Sequence, residues 1–363
     1  MTSGKWVIGM MSGTSMDGID VAAIKTDGHH IFEMAPGFMV PYTDEFREKL
    51  RHILGQDTKT PEIEAIEKEL THLHAEAFHH YLKKFSISSH NVELIGFHGH
   101  TILHQPPSRF KNPHTWQIGD GKLLRHLTQT KVVYNLREND LRHGGEGAPL
   151  VPLYQRALAQ YLQKPLAIIN IGGISNVTWI GEDDQLLAFD MGPGNALLDD
   201  WVKIYYQQRY DEGGQIAAQG HIEASILEQF KNHPYFKQVP PKSLDRQDFD
   251  FSTVSYLSPP DGLATLTEMT ALAIKAGTSF FPAQPHLYII TGGGRLNKTL
   301  INRLAFHLSP VFVKTTEEIG WDGDYMEAQA FAFLAARAVK GLPLSEPTTT
   351  GVRKPVSGGI IVS

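Results

Sequence analysis

Leu166-Ala167-Ile168-Ile169-Asn170-Ile171-Gly172-Gly173-Ile174-Ser175-Asn176-Val177-Thr178-Trp179-Ile180 reads as a buried strand, a tight glycine turn and a second β-prone strand. The chain opens on the same pattern. Trp6-Val7-Ile8 is β-prone, Ser12-Gly13-Thr14-Ser15-Met16-Asp17-Gly18 has turn chemistry, and Ile19 to Ile24 resumes the strand character. Two such units about 160 residues apart point to a duplicated architecture. A third glycine turn follows the strand His286 to Thr291, at Gly292-Gly293-Gly294, and leads into a helix from about Asn297.

Helices are expected near 43–55 and 61–85, the second with Ile63, Ile66, Leu70, Leu73, Phe78 and Leu82 close to a 3.6-residue period. Val92 to Phe97 reads as a strand that places His98-Gly99-His100-Thr101 at its end. Further helices are expected near 119–128, 149–162 and 325–339, with strands at 131–135 and 360–362. The stretch 233–262, with five prolines, reads as an irregular surface excursion.

At 363 residues the chain exceeds what one hydrophobic core usually holds, so two domains or one bilobal fold are expected. Hydrophobic residues at 41% and charged residues at 20% describe an ordinary globular chain. A net charge of −6 gives no electrostatic reason to coat nucleic acid or an anionic membrane. The absence of cysteine excludes disulfides, thiolate metal sites and thiol catalysis. The 18 histidines keep a metal site open, yet His72, His74, His79 and His80 contain no i, i+4 pair. No apolar run reaches membrane-helix length and no secretory leader pattern opens the chain, so a cytoplasmic location is expected.

Phosphates need backbone N–H groups at close approach, and Ser or Thr adds hydroxyl donors. Gly13-Thr14-Ser15 and Gly172-Gly173-Ile174-Ser175 both suit that task, although each alone could be a plain hairpin turn. A glycine-rich strand-to-helix turn such as Gly292 to Gly294 suits a nucleoside face or an anion. The P-loop pattern, G-x-G-x-x-G and the G-x-S-x-G elbow are all missing. Phe189-Asp190-Met191-Gly192-Pro193-Gly194-Asn195 puts a carboxylate at a strand end, where it is either a reactive group or a turn aspartate. Glu327 starts an apolar helix, where the helix dipole alone could account for it.

Strand–turn–strand twice, followed by strand–glycine turn–helix, is similar to the two phosphate motifs and the adenosine motif of the actin–hexokinase superfamily. Within it the chain resembles the anhydro-N-acetylmuramic acid kinases. The resemblance rests on Met11 to Asp20, His98 to Thr101, Gly144 to Leu150, Asn170 to Asn176, Phe189 to Asn195 and Thr291 to Gly294, in that order along nearly the whole chain. It implies an α/β, two-lobed fold, each lobe a mixed five-stranded sheet flanked by helices. The first lobe would take 1–132 plus 341–363, and the second 133–340.

The implied reaction uses ATP, Mg²⁺ and water to open the 1,6-anhydro bridge of anhydro-N-acetylmuramic acid and phosphorylate O6, in cell-wall recycling. Asp190 would be the general base on the attacking water, with Glu327 helping to place that water. Nucleotide contacts would fall on Gly13, Thr14, Ser15, Met16, Asp17, Gly18, Ile19, Asp20, Asn170, Gly172, Gly173, Gly292, Gly293 and Gly294. Sugar contacts would fall on His98, Thr101, Arg137 and Asp140. Two positions depart from the superfamily pattern: no Asp opens the first turn, and Asn170 replaces the Asp of the second. Direct carboxylate support for Mg²⁺ is then open: Asp17 and Asp20 are candidate substitutes, and Asp20 could equally be structural. Asn135-Leu136 also stands where the family has Asp-Phe. The expected partner is a small anhydrosugar, with neither nucleic acid nor membrane, and the oligomeric state is open, a homodimer included. The rival readings are an actin-like ATPase of the chaperone or assembly kind, and a kinase of another sugar.

Overall fold

The computed structural model describes residues 4–363. The sequence expectation about a leader draws in part on Met1 to Ser3, which lie outside the described residues. The chain divides into two compact units: one runs up to Tyr161 and resumes at Asp324, and the other is Leu162–Gly323.

The first unit begins with an antiparallel meander, β1 (Trp6–Ser12), β2 (Gly18–Thr26) and β3 (Ile31–Met34). A short strand β4 (Phe38–Pro41) also pairs with β2. Helices α1 (Asp44–His52) and α2 (Pro61–Lys84) follow. The Thr60 hydroxyl accepts from the Ile63 amide at the start of α2, with Pro61 in the first turn and Lys83 and Lys84 in the last. This is the polarity the helix dipole favours. Its face of Ile63, Ile66, Leu70 and Phe78 joins the core, as the period predicts. Strand β5 (Val92–Gln105) runs parallel to β1 and pairs with β6 (His114–Ile118). After α3 (Gly121–Thr128), β7 (Lys131–Tyr134) lies parallel to β5, and α4 (Glu138–Arg142) and α5 (Pro152–Leu158) complete the segment.

The second unit repeats the meander with β8 (Leu166–Ile171), β9 (Ile174–Ile180) and β10 (Leu186–Pro193), then adds α6 (Ala196–Tyr206), α7 (Ala224–Lys231) and α8 (Pro259–Gly277). Strand β11 (Leu287–Thr291) is parallel to β8. Helix α9 (Lys298–Leu308) carries the chain to β12 (Phe312–Thr315), parallel to β11. The order β10-β9-β8-β11-β12 matches β3-β2-β1-β5-β7 of the first sheet, strand for strand and direction for direction. The duplication seen in the two glycine turns is thus a duplication of topology.

Back in the first unit, α10 (Met326–Val339) lies across β1 and β5, followed by α11 (Pro347–Thr350) and β13 (Ile360–Val362). Glycine makes this packing close. A Cβ on Gly9 would stand 1.7 Å from the Ala328 carbonyl oxygen, and one on Gly96 would stand 2.1 Å from that of Phe331.

The α/β class holds, with two corrections. The first sheet has eight strands rather than five, because β4, β6 and β13 join it. The boundaries at 132/133 and 340/341 also move. The first would cut β7, which pairs with β5 and β13, and the second would separate α10 from the strands it covers. Residues 133–161 and 324–340 therefore belong with the first unit.

Candidate functional site

In the first unit the β1–β2 turn closes through the Met16 amide donating to the Gly13 carbonyl at 3.0 Å. Thr14, Ser15 and Asp17 are its exposed members. Met16 and Ile19 point into the core, and a Cβ on Gly18 would meet the Val40 carbonyl oxygen. Asp20 is half-buried, and its carboxyl is pushed up to about 7, first by burial and then by Glu327, Asp324 and Asp17.

His98 to Thr101 are not at a strand end: β5 continues through them to Gln105. Opposite β1, the pairing steps from Phe97 to Gly99 between Met10 and Met11, so His98 is the extra residue of a bulge, with Gly99 at φ +73°. Bulges re-aim side chains. The ring of His98 stacks on Phe331 at 4.3 Å, and its Nε2 accepts from Arg137 Nε–H at 2.9 Å. The ring proton is therefore on Nδ1, which donates to the Gly99 carbonyl at 3.1 Å. Burial and the adjacent guanidinium hold His98 well below the usual imidazole range. Arg137 also donates to the Gly147 carbonyl at 3.0 Å, and its charge acts on Glu327. The Glu327 carboxyl is raised by desolvation and opposed by Arg137, although water still reaches the side chain. His100, with its Nδ1 3.0 Å from Ser12 Oγ, adds to the lowering of His98.

Asp140 is buried, and both its oxygens are engaged. One accepts from the Gly147 amide and the other from the Thr350 hydroxyl, each at 2.6 Å. It ties Gly147, whose carbonyl accepts from Arg137, to Thr350. Thr101 accepts from Gln117 Nε2 at 3.3 Å.

In the second unit the turn after β8 is tied to the start of α6. The Asn195 amide donates to the Gly172 carbonyl at 2.7 Å, and the Gly194 amide to that of Gly173 at 3.0 Å. Asn195 Nδ2 reaches the Ile171 carbonyl at 3.0 Å. Gly292, at φ +75°, brings the third turn against Asn170 and Ile171. A Cβ on Gly172, Gly173 or Gly293 would meet nothing closer than 3.5 Å, whereas one on Gly294 would strike Ile171 at 2.4 Å. The first three glycines thus leave open backbone at the ends of β8 and β11. This is a cradle of the kind a nucleotide's phosphates require.

Asp190 lies on β10 where the pairing steps past Met191, a second bulge beside a candidate residue. The Leu244 amide donates to its carboxylate at 2.8 Å, its own amide donates to the Lys242 carbonyl at 3.1 Å, and the Tyr235 hydroxyl donates to its carbonyl. The stretch read as a surface excursion is therefore strapped to Asp190. Among the described residues no group of three or more His, Asp or Glu side chains could hold a metal. No helix there is long and apolar enough to cross a membrane.

A duplicated α/β topology whose β8 and β11 turns leave glycine backbone open suits a phosphate-handling protein. A sequence model of the family described as anhydro-N-acetylmuramic acid kinase matches residues 5–363. The chain is 45% identical to the protein of that name from Rhodospirillum rubrum, covering 98% of this chain and 93% of that one. It is 46% identical to the one from Paramagnetospirillum magneticum, covering 97% and 98%. The chain belongs to the anhydro-N-acetylmuramic acid kinase family. It is an ATP-using sugar kinase, and the reading as an assembly ATPase falls away.

Proposed function

We propose that Asp190 is the general base of this kinase. It takes a proton from the water that attacks the anomeric carbon of 1,6-anhydro-N-acetylmuramic acid. As the bond from that carbon to O6 breaks, O6 is freed and attacks the γ-phosphoryl group of ATP. Asp190 returns the water's proton to O6 as the bond breaks and takes it again as O6 attacks and ADP leaves, so one carboxylate can serve both events. The position of Asp190 carries the reading: its carboxylate is held by the Leu244 amide on a bulged strand, and its backbone is pinned at both polar atoms.

Glu327 is proposed to help hold the attacking water, and the His98–Arg137 pair to bind the sugar. Asp140 supports that pair through its hold on Gly147. Gly172, Gly173 and Gly293, with Thr14 and Ser15, would hold the nucleotide, which phosphoryl transfer needs mainly positioned and neutralised. Mg²⁺ usually takes one or two carboxylates plus substrate phosphates, and Asp20 and Asp17 fit that donor set. When bound, the ion neutralises charge on the transferring phosphoryl group. A cytoplasmic location and a homodimer complete the proposal.

Asp190→Asn tests it. Turnover should fall by at least ~10³-fold, at the upper part of the range for general-base loss, with ATP affinity nearly unchanged. Near-normal turnover would remove Asp190 from the mechanism.

A further inference from the structure

Lys242 stands in the proline-rich stretch and is half-buried. Its ammonium faces three aromatic rings: Phe280 at 4.3 Å, Tyr235 at 4.4 Å and Phe189 at 5.6 Å from the ring centroids. It donates one hydrogen bond, to the Tyr235 carbonyl at 3.2 Å. Phe189 adjoins Asp190 in sequence, and the Lys242 carbonyl accepts the Asp190 amide. Residues 242 and 244 therefore hold Asp190 at its amide and at its carboxylate. An ammonium so enclosed is attracted by the ring faces and partly stripped of water, which strengthens its action on a nearby charge.

We propose that Lys242 is a positioning residue for Asp190, its caged ammonium keeping the carboxylate in the charged form that accepts the proton. This rests on the assignment of Asp190 as base. Burial draws the Lys242 ammonium down to about 8, opposed by the charge of Asp190, so it stays protonated at neutral pH. Among the described residues Asp190 is the group whose charge acts on it, and the Tyr235 hydroxyl donates to the Asp190 carbonyl.

The test is the pH profile of kcat/KM for the full chain, with ATP, Mg²⁺ and anhydrosugar, in Lys242→Met, Lys242→Arg and Asp190→Asn. Loss of the cation should move the acid limb of Lys242→Met upward by about one pH unit, and Lys242→Arg should return it most of the way. ATP affinity should be the same in all three. A uniformly lower profile with an unmoved acid limb would make Lys242 a packing residue only. A higher KM with unchanged kcat and limb would make it a substrate ligand. Either result overturns the inference while leaving Asp190 standing. An active Asp190→Asn variant would overturn the underlying mechanism instead.

Discussion

Gly173 and Gly293 separate binding from folding at the level of single residues. Neither has a positive φ, and a Cβ at either meets only ordinary contact distances. Gly173→Val and Gly293→Val should therefore leave the urea midpoint close to wild type and reduce ATP affinity by at least about tenfold, by filling the approach to the backbone. Gly294→Val should lower the midpoint itself, because its Cβ enters Ile171. Calorimetric titration with ATP beside urea unfolding checks both arms. Unchanged ATP affinity in the first two variants would dissociate the turns from the nucleotide. These glycines were legible because a strand running into Gly-Gly is a local signal. The local pattern Asp190-Met191-Gly192-Pro193-Gly194 left a reactive group and a turn aspartate equally open, and the role as base came from the family resemblance. Lys242 and Leu244 carried no such mark. Their role comes from a contact about 50 residues away in an aperiodic stretch, which no pattern of neighbours reveals. The pairing of Arg137 with His98 spans 39 positions and was hidden likewise.

Among the elements, the packing of α2 on β5 carries a pH dependence. His74 is fully buried on α2, its Nδ1 donating to the Leu70 carbonyl at 2.8 Å and its ring edge on Phe97 at 4.9 Å. Its Nε2 has no partner. Burial lowers this imidazole from 6.5 to about 4. Between those values the unfolded chain binds the proton and the folded one does not, so the stability present above 6.5 is lost as pH falls toward 4. His74→Phe removes that term. Its stability relative to wild type should grow by about 2 kcal/mol between pH 6.5 and pH 5, read by urea unfolding at each pH. A difference independent of pH would mean that His74 is not neutral in the fold. The helix itself was predictable from its period and its Thr60-Pro61 start. The length of β5 was not. His98-Gly99-His100-Thr101 looks like a strand end because the apolar run gives way to polar residues, whereas in the structure a bulge forms there and the strand continues.

For the whole molecule, the repeated strand order explains why two glycine turns pointed to a duplication, while the two-lobed α/β fold came from the family resemblance. Each meander places its first turn at the same point of an equivalent sheet, so the turns recur because the topology recurs. The additions β4, β6 and β13 belong to one sheet only, and no repeat announced them. Chemically, the central claim is that one enzyme both adds water across the anhydro bridge and phosphorylates the freed O6. Incubating the protein with ATP, Mg²⁺ and anhydro-N-acetylmuramic acid in ¹⁸O-labelled water, followed by mass spectrometry of the product, tests that claim most directly. The account predicts a product heavier than the sugar by one water and one phosphoryl group, with one ¹⁸O at the anomeric carbon. A phosphorylated product without that ¹⁸O would contradict it.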